Sequence, residues 1–211
     1  MLPSVRFYEL WSALGAGGHG SGALLRLRAA YDEPHRAYHT ARHIGACLRL
    51  LDDEAVTATA THIEEVEAAL WFHDVVYDTR ASDNEERSAE MAAEVLGGAG
   101  VAEEVVARIA AHVRATKAHV PDSADGQLVI DIDLSILAEA PEVFARFEEE
   151  IRREYAWVDE AAYVAGRAAV LRGFRERPLL YGTPLLRERY EARARANLEA
   201  SLARLASVTR P

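Results

Sequence analysis

Two imidazoles and two carboxylates stand out in this chain of 211 residues: His43 beside Ile44, the adjacent pair His73 and Asp74 inside ALWFHDVVYD, and Asp133 inside VIDIDLSIL. Each sits where the apolar spacing around it predicts burial. An imidazole or carboxylate buried without a partner costs several kcal/mol, and no Lys or Arg lies within two residues of His73, Asp74 or Asp133. A cation shared by the four resolves that cost most simply. Two imidazoles with two carboxylates suit one divalent transition metal ion (Mn, Fe, Co, Ni or Zn) better than calcium, which takes oxygen ligands throughout, and magnesium is less expected for the same reason.

Adjacent residues on a helix point about 100° apart, so His73 and Asp74 reach one ion only if it lies at a helix edge facing a groove. The expected site is therefore a cleft, open to substrate. Four protein ligands on an ion that accepts six leave room for water and a phosphate oxygen, and coordination lowers the pKa of such a water to about 7 in favourable cases.

Further residues can extend this chemistry. His39, four before His43, is expected one turn up the same helix face, where it touches substrate, ligates a second ion or only lines the cleft. Arg36 can fork onto a phosphate in a cleft otherwise poor in cations. His119 is expected to contact substrate, and with His112, seven residues earlier, it could extend the site toward two metals; His112 reads equally well as a packed or surface histidine. Glu85, beside Asn84 at a helix start, orients water or is a solvated charge. Asp131 is the reserve for Asp133. His19, His35 and His62 follow no pattern and read as surface residues.

The elements that must position these groups read as helices, and the fold class expected is all-α, a single-domain helical bundle over residues 1–211. Apolar positions at spacings of three and four mark helices over about Tyr38 to Leu51 and Ile63 to Asp78, the second placing His73 inside. A first helix is expected over Val5 to Leu14, ended by GAGGHGSG, and another before Pro34. Asp83 reads as an N-cap with Glu86 completing a capping box, and Gly97, Gly98 and Gly100 end that helix. A helix over Ala102 to Lys117 leads to a loop at Pro121 to Gly126. The segment Leu128 to Leu137 alternates like a strand, yet Ile130, Asp133, Leu134 and Leu137 share a helical face; with no partner strand evident, it is read as helix. Helices over Pro141 to Val158, Glu160 to Arg177 and Pro184 to Ala206 complete the chain.

A formal net charge of −10 argues against long nucleic acid as a partner, since neutralising phosphates needs clustered Lys and Arg. The Arg-rich RERYEARARANLEASLARL interleaves glutamates at helical spacing and reads as structural. No apolar run of about 18 residues occurs, and Arg6 and Glu9 interrupt the N-terminal stretch before any signal-like block. With Cys47 as the one cysteine, the expectation is a soluble, cytoplasmic protein with no membrane partner. A homodimer is left open.

In order, YHTARHI, FHDVVYD with NEERSA, TKAH, DIDLSIL, IRREY and ARANL resemble the HD superfamily of metal-dependent phosphohydrolases, and in particular an uncharacterised bacterial branch of it, over nearly the whole chain. The resemblance implies an all-α fold around one divalent ion and hydrolysis of phosphate esters, commonly nucleotides or related small phosphorylated metabolites. His43 is similar to the family's first histidine, His73 and Asp74 to its HD pair, and Asp133 to its final aspartate. Arg152, Glu154 and Tyr155 resemble a further family segment, expected as an ion-paired buttress. HDVVYDT is also similar to the hydrolase site of alarmone (guanosine tetraphosphate) enzymes, which read HDVVEDT. Where those carry a Glu as general acid or base this chain has Tyr77, while Asp78 is retained. An unperturbed Tyr titrates near pH 10, so proton transfer is expected from Asp78, Glu85 or a histidine. The competing expectations are a metal-stabilised module that senses a nucleotide without turnover, and oxygen chemistry at a two-iron version of the site.

Overall fold

A computed structural model describes residues 2–121 and 123–208 of the chain. All its regular elements are helical, with no strand among the described residues, in agreement with the all-α expectation. The chain divides into two compact units, residues 1–133 and 134–211.

The first unit holds α1 (Ser4–Ala13), α2 (Ser21–Tyr31), α3 (Ala41–Leu50), the short α4 (Glu54–Thr57), α5 (Ile63–Phe72), α6 (Asn84–Gly98), α7 (Glu103–Ala115) and α8 (Ala124–Asp133). Helix α5 is the one the others pack around, touching α1, α3, α6, α7 and α8. Its residues Val66 and Ala68 through Phe72 are all buried, the apolar-all-round pattern of a helix enclosed by protein rather than lying on a surface.

Helix α5 stops at Phe72, with His73 as its C-cap, instead of running to Asp78. The reason lies in its last carbonyls. Leu70 O accepts from the His73 ring, Trp71 O accepts from the Tyr31 hydroxyl at 2.9 Å, and Phe72 O accepts Val75 N–H in a tighter turn at 3.1 Å. The ladder bonds that would continue the helix are replaced by two local bonds and one tertiary bond.

Other boundaries shift for equally local reasons. Thr40 caps α3 by accepting Arg42 N–H, so the helix begins at Ala41 and His39 lies before it rather than on its face. The ambiguous LVIDIDL segment is helical, as expected, but it belongs to α8, which starts at Ala124 inside the expected loop; Leu134–Ala138 then tightens to a 3-10 turn. At the start of α6 the capping box does not form. Asp83 makes no side-chain cap bond, and Glu86 instead takes a forked bond from Arg114 of α7, at 2.8–3.0 Å. The far end of α6 closes as expected on Gly100, whose φ of 83° lets Val101 N–H reach Leu96 O at 3.1 Å.

The second unit contains that 3-10 turn with α9 (Pro141–Glu154), α10 (Glu160–Glu176) and α11 (Pro184–Val208). Buried Asn197 of α11 donates to the carbonyls of Leu137 and Glu139, both at 2.9 Å, and Tyr181 OH donates to Leu134 O at 2.9 Å. The arginine-rich helix is thus tied down by packing and backbone acceptors. Arg152 pairs with Glu160 at 3.1 Å and donates to Tyr155 O and Val158 O, an ion-paired brace at the join of α9 and α10. Among the described residues no helix is long and apolar enough to cross a membrane.

Candidate metal centre

His43 is placed by the first turn of α3, His73 by the C-cap of α5, Asp74 by the turn that follows, and Asp133 by the last residue of α8. Three segments distant in sequence therefore meet inside the first unit. His43 and His73 are 4% and 2% exposed.

Each imidazole is held from behind. His73 Nδ1 lies 3.0 Å from Leu70 O; a carbonyl only accepts, so Nδ1 carries the proton and the Nε2 lone pair faces inward. His43 Nδ1 lies 2.9 Å from the Tyr38 hydroxyl, and Cys47, one turn on, sits at 3.8 Å. Such outer partners fix the tautomer and ring plane of metal-binding histidines.

The inward-facing atoms are close together. His43 Nε2 is 3.1 Å from His73 Nε2 and 3.1 Å from Asp133 Oδ1; His73 Nε2 is 3.4 Å from the same oxygen. Asp74 Oδ2 lies 3.1 Å from His73 Nε2 and 3.5 Å from His43 Nε2. Ligands about 2.1 Å from one ion are separated by about 3.0 Å at octahedral angles and about 3.4 Å at tetrahedral ones, which is the spacing seen. The donor set fits a metal ion: His43, His73 and Asp133 form a cluster able to hold one.

The cluster's electrostatics point the same way. Burial opposes charge on His73, yet Asp74 and Asp133 outweigh it and raise its pKa well above the ordinary 6.5. Burial likewise opposes ionisation of Asp74, but His73 first, then His39 and His43, hold it well below the usual carboxylate range. Asp133 is also lowered, by His73 and by hydrogen bonds from His119, His43 and His73 acting against burial. Burial pushes the Tyr38 and Cys47 groups up, reinforced by the carboxylates. The cluster thus favours a positive charge among its donors, and a metal ion held there would compete with the His73 proton.

Exposure shows which side is open. The imidazoles are sealed, whereas the side chains of Asp74, Asp133 and His119 are 19%, 18% and 19% exposed. His119 Nε2 lies 3.7 Å from Asp133 Oδ2. Its backbone is left-handed, with φ 52°, and is the one non-glycine case among the described residues. Val120 N–H returns to Ala115 O at 3.3 Å, the closure of a helix whose C′ position is ordinarily glycine.

The remaining expected site residues are placed less simply. His39 stands 6.1 Å ring to ring from His43 and stacks on Tyr77 at 4.1 Å. Arg36 corrects its expectation: the guanidinium is fully buried and all its N–H groups are committed, to Glu33, His39 O, Asp74 O and Val75 O. It has no donor left for a phosphate. Asp78 is exposed and builds the turn into α6, accepting Arg80 N–H at 2.9 Å while its backbone pairs twice with Asn84. Glu85 is half-buried in the first turn of α6. Among the described residues no hydrogen bond or ion pair joins Asp78 or Glu85 to the cluster. Asp131 is fully buried and accepts from Gln127 at 2.8 Å, so Asp133 rather than Asp131 reaches the histidines. His112 is buried. Sequence reasoning missed Tyr38; the signal was a phenol five residues before a histidine expected inside.

Compared with protein-family models, curated proteins and solved structures, the chain gives no match.

Proposed function

We propose that this chain is a metal-dependent phosphohydrolase of the HD type, acting on a small phosphorylated metabolite with nucleotides as the leading class. The observation that carries this reading is the convergence of two inward-facing Nε2 atoms with the Asp133 and Asp74 carboxylates at coordination spacing. The carboxylate side is the open one. His43, His73, Asp74 and Asp133 hold the metal. A divalent transition ion there supplies Lewis-acid polarisation of a phosphoryl oxygen and an acidified water.

The chain's own groups do the rest. Tyr38 and the Leu70 carbonyl keep the two imidazoles oriented, and the wall of α5 excludes water from the sealed side. His119, next to Asp133 and partly exposed, donates a proton to the leaving oxygen, and His39 borders the substrate. Asp78 and Glu85 are the outer reserve for proton transfer. The test is phosphate release from a panel of nucleotides and sugar phosphates with manganese, cobalt or zinc, in the wild type and in His73→Ala. Metal-dependent release that is lost in the variant supports the reading; release unchanged in His73→Ala refutes it.

A second reading is a nucleotide-sensing module without turnover. What favours it is Tyr77, stacked on His39 where an alarmone hydrolase has its Glu, together with Asp78 turned into its own loop. Tight nucleotide binding without phosphate release under every metal selects this reading over the first.

A further inference from the structure

Arg36 is fully buried, yet its charge is not spent on the cluster carboxylates. Nε donates to Glu33 at 2.9 Å, and the terminal nitrogens reach His39 O at 3.1 Å, Asp74 O at 2.7 Å and Val75 O at 3.0 Å. The guanidinium also lies 5.3 Å from the Tyr31 ring centre and 5.5 Å from that of Tyr77. Two of these acceptors belong to the turn that carries His73 and Asp74, and a third is in the strap leading to His43. Backbone carbonyls past a helix C-terminus lack ladder partners and carry partial negative charge, so a planar five-donor cation fits them as a point-charge ammonium does not.

We propose that Arg36 is a positioning residue of the metal centre: it clamps the loop before α3 to the turn after α5, and thereby sets the spacing between His43 and the His73–Asp74 pair. The proposal rests on the metal-binding reading above and deepens it. Without the clamp, Asp74 and Val75 would each lose the guanidinium bond to their carbonyls. The Asp74–Val75 peptide would then be held by Val75 N–H on Phe72 O alone, a looser hold on the Asp74 carboxylate. Tyr31 OH on Trp71 O would still end the helix, so the fold survives a change that loosens the ligand turn.

The experiment is a cobalt(II) titration of the full chain, followed by calorimetry and by the visible cobalt bands, on the wild type, Arg36→Lys and Glu33→Gln. Outer partners of metal ligands are worth about 10–100-fold in affinity. Arg36→Lys keeps the charge but not the fork, and is expected to weaken cobalt binding by about that factor and to shift the cobalt bands, with the far-ultraviolet circular dichroism unchanged. Glu33→Gln, altering a half-exposed partner of Arg36, is expected to shift the same bands less. A folded Arg36→Lys protein with wild-type affinity and wild-type bands overturns the proposal. If that variant does not fold, unchanged affinity and bands in Glu33→Gln overturn it instead. A wild type that takes up no cobalt sinks the metal reading itself, and Arg36's role with it.

Discussion

The two ends of α5 are both polar, but they are completed differently. At the N-terminal end the buried Asp125 carboxylate accepts Thr61 N–H at 2.8 Å and His62 N–H at 2.9 Å, with the His62 ring alongside at 3.3 Å. Asp125 thus anchors the two residues that lead into the helix, while His62 makes no side-chain cap bond of its own. At the C-terminal end the carbonyls are equally well served, by Tyr31, Arg36 and the His73 ring. Beyond them, two imidazole Nε2 atoms and two carboxylates are left facing one another. One end is a hydrogen-bond network alone, and the other is a network whose His43, His73 and Asp133 could also hold a metal ion. A buried carboxylate that accepts only backbone N–H groups serves the fold; a buried convergence of imidazoles and carboxylates with shifted pKa values marks a candidate site.

That contrast can be broken by mutation at either end. The largest effect is expected at the C-terminal end: His73→Ala or Asp133→Ala should lower metal affinity and any phosphatase turnover by at least about 100-fold, more than loss of an outer partner does. Metal analysis after dialysis and phosphate-release rates check this. At the other end, Asp125→Ala should cost about 2 kcal/mol of stability by stripping two N–H groups of a charged acceptor, leaving metal affinity unchanged. A denaturant titration with parallel metal binding reads both quantities.

The pH dependence sharpens the same contrast. In metal-free protein His73 has a raised pKa, so its contribution to stability is fully present below the ordinary 6.5 and is lost as pH rises through the folded value. Asp74 and Asp133 have lowered pKa values, so theirs is present above the ordinary 3.8 and lost as pH falls through the folded values. Metal binding expels the proton and strengthens as pH rises. The Tm gap between metal-loaded and metal-free protein should therefore widen as pH rises from the ordinary 6.5 toward the raised folded value of His73. His73→Ala should abolish the widening, whereas Asp125→Ala should leave it intact.

The smallest stability effect is expected at His119. Its left-handed backbone costs a non-glycine residue about 1–2 kcal/mol. His119→Gly removes that strain at an entropic cost of similar size, and His119→Ala keeps it. The glycine variant should therefore match or exceed the alanine one in thermal unfolding, while both lose turnover equally if the imidazole acts on substrate.

The cluster of His43, His73 and Asp133 was readable from sequence because burial without a neighbouring cation is a cost visible in the residues themselves. Helical segments were readable from apolar spacing, including the later part of α8, where the lack of a partner strand decided between a helical face and a strand-like alternation. The end of α5 was not, because the Tyr31 hydroxyl, about forty residues upstream, takes one of its last carbonyls. Arg36 looked like a phosphate fork for the same reason: nothing local announces that backbone carbonyls will claim its donors. Glu86 has the spacing of a capping box, but Arg114 offers it a stronger, charged partner. Tyr38 was within reach, since it lies in the YHTARHI segment that carries His43.

The most direct measurement is X-ray absorption at the metal edge of the loaded protein, compared with His43→Ala and Asp133→Ala loaded in the same way. The account predicts imidazole scattering from two histidines with carboxylate oxygen in the wild type, one imidazole fewer in the first variant, and loss of a carboxylate in the second. A metal that binds tightly with an identical coordination shell in all three proteins would contradict it.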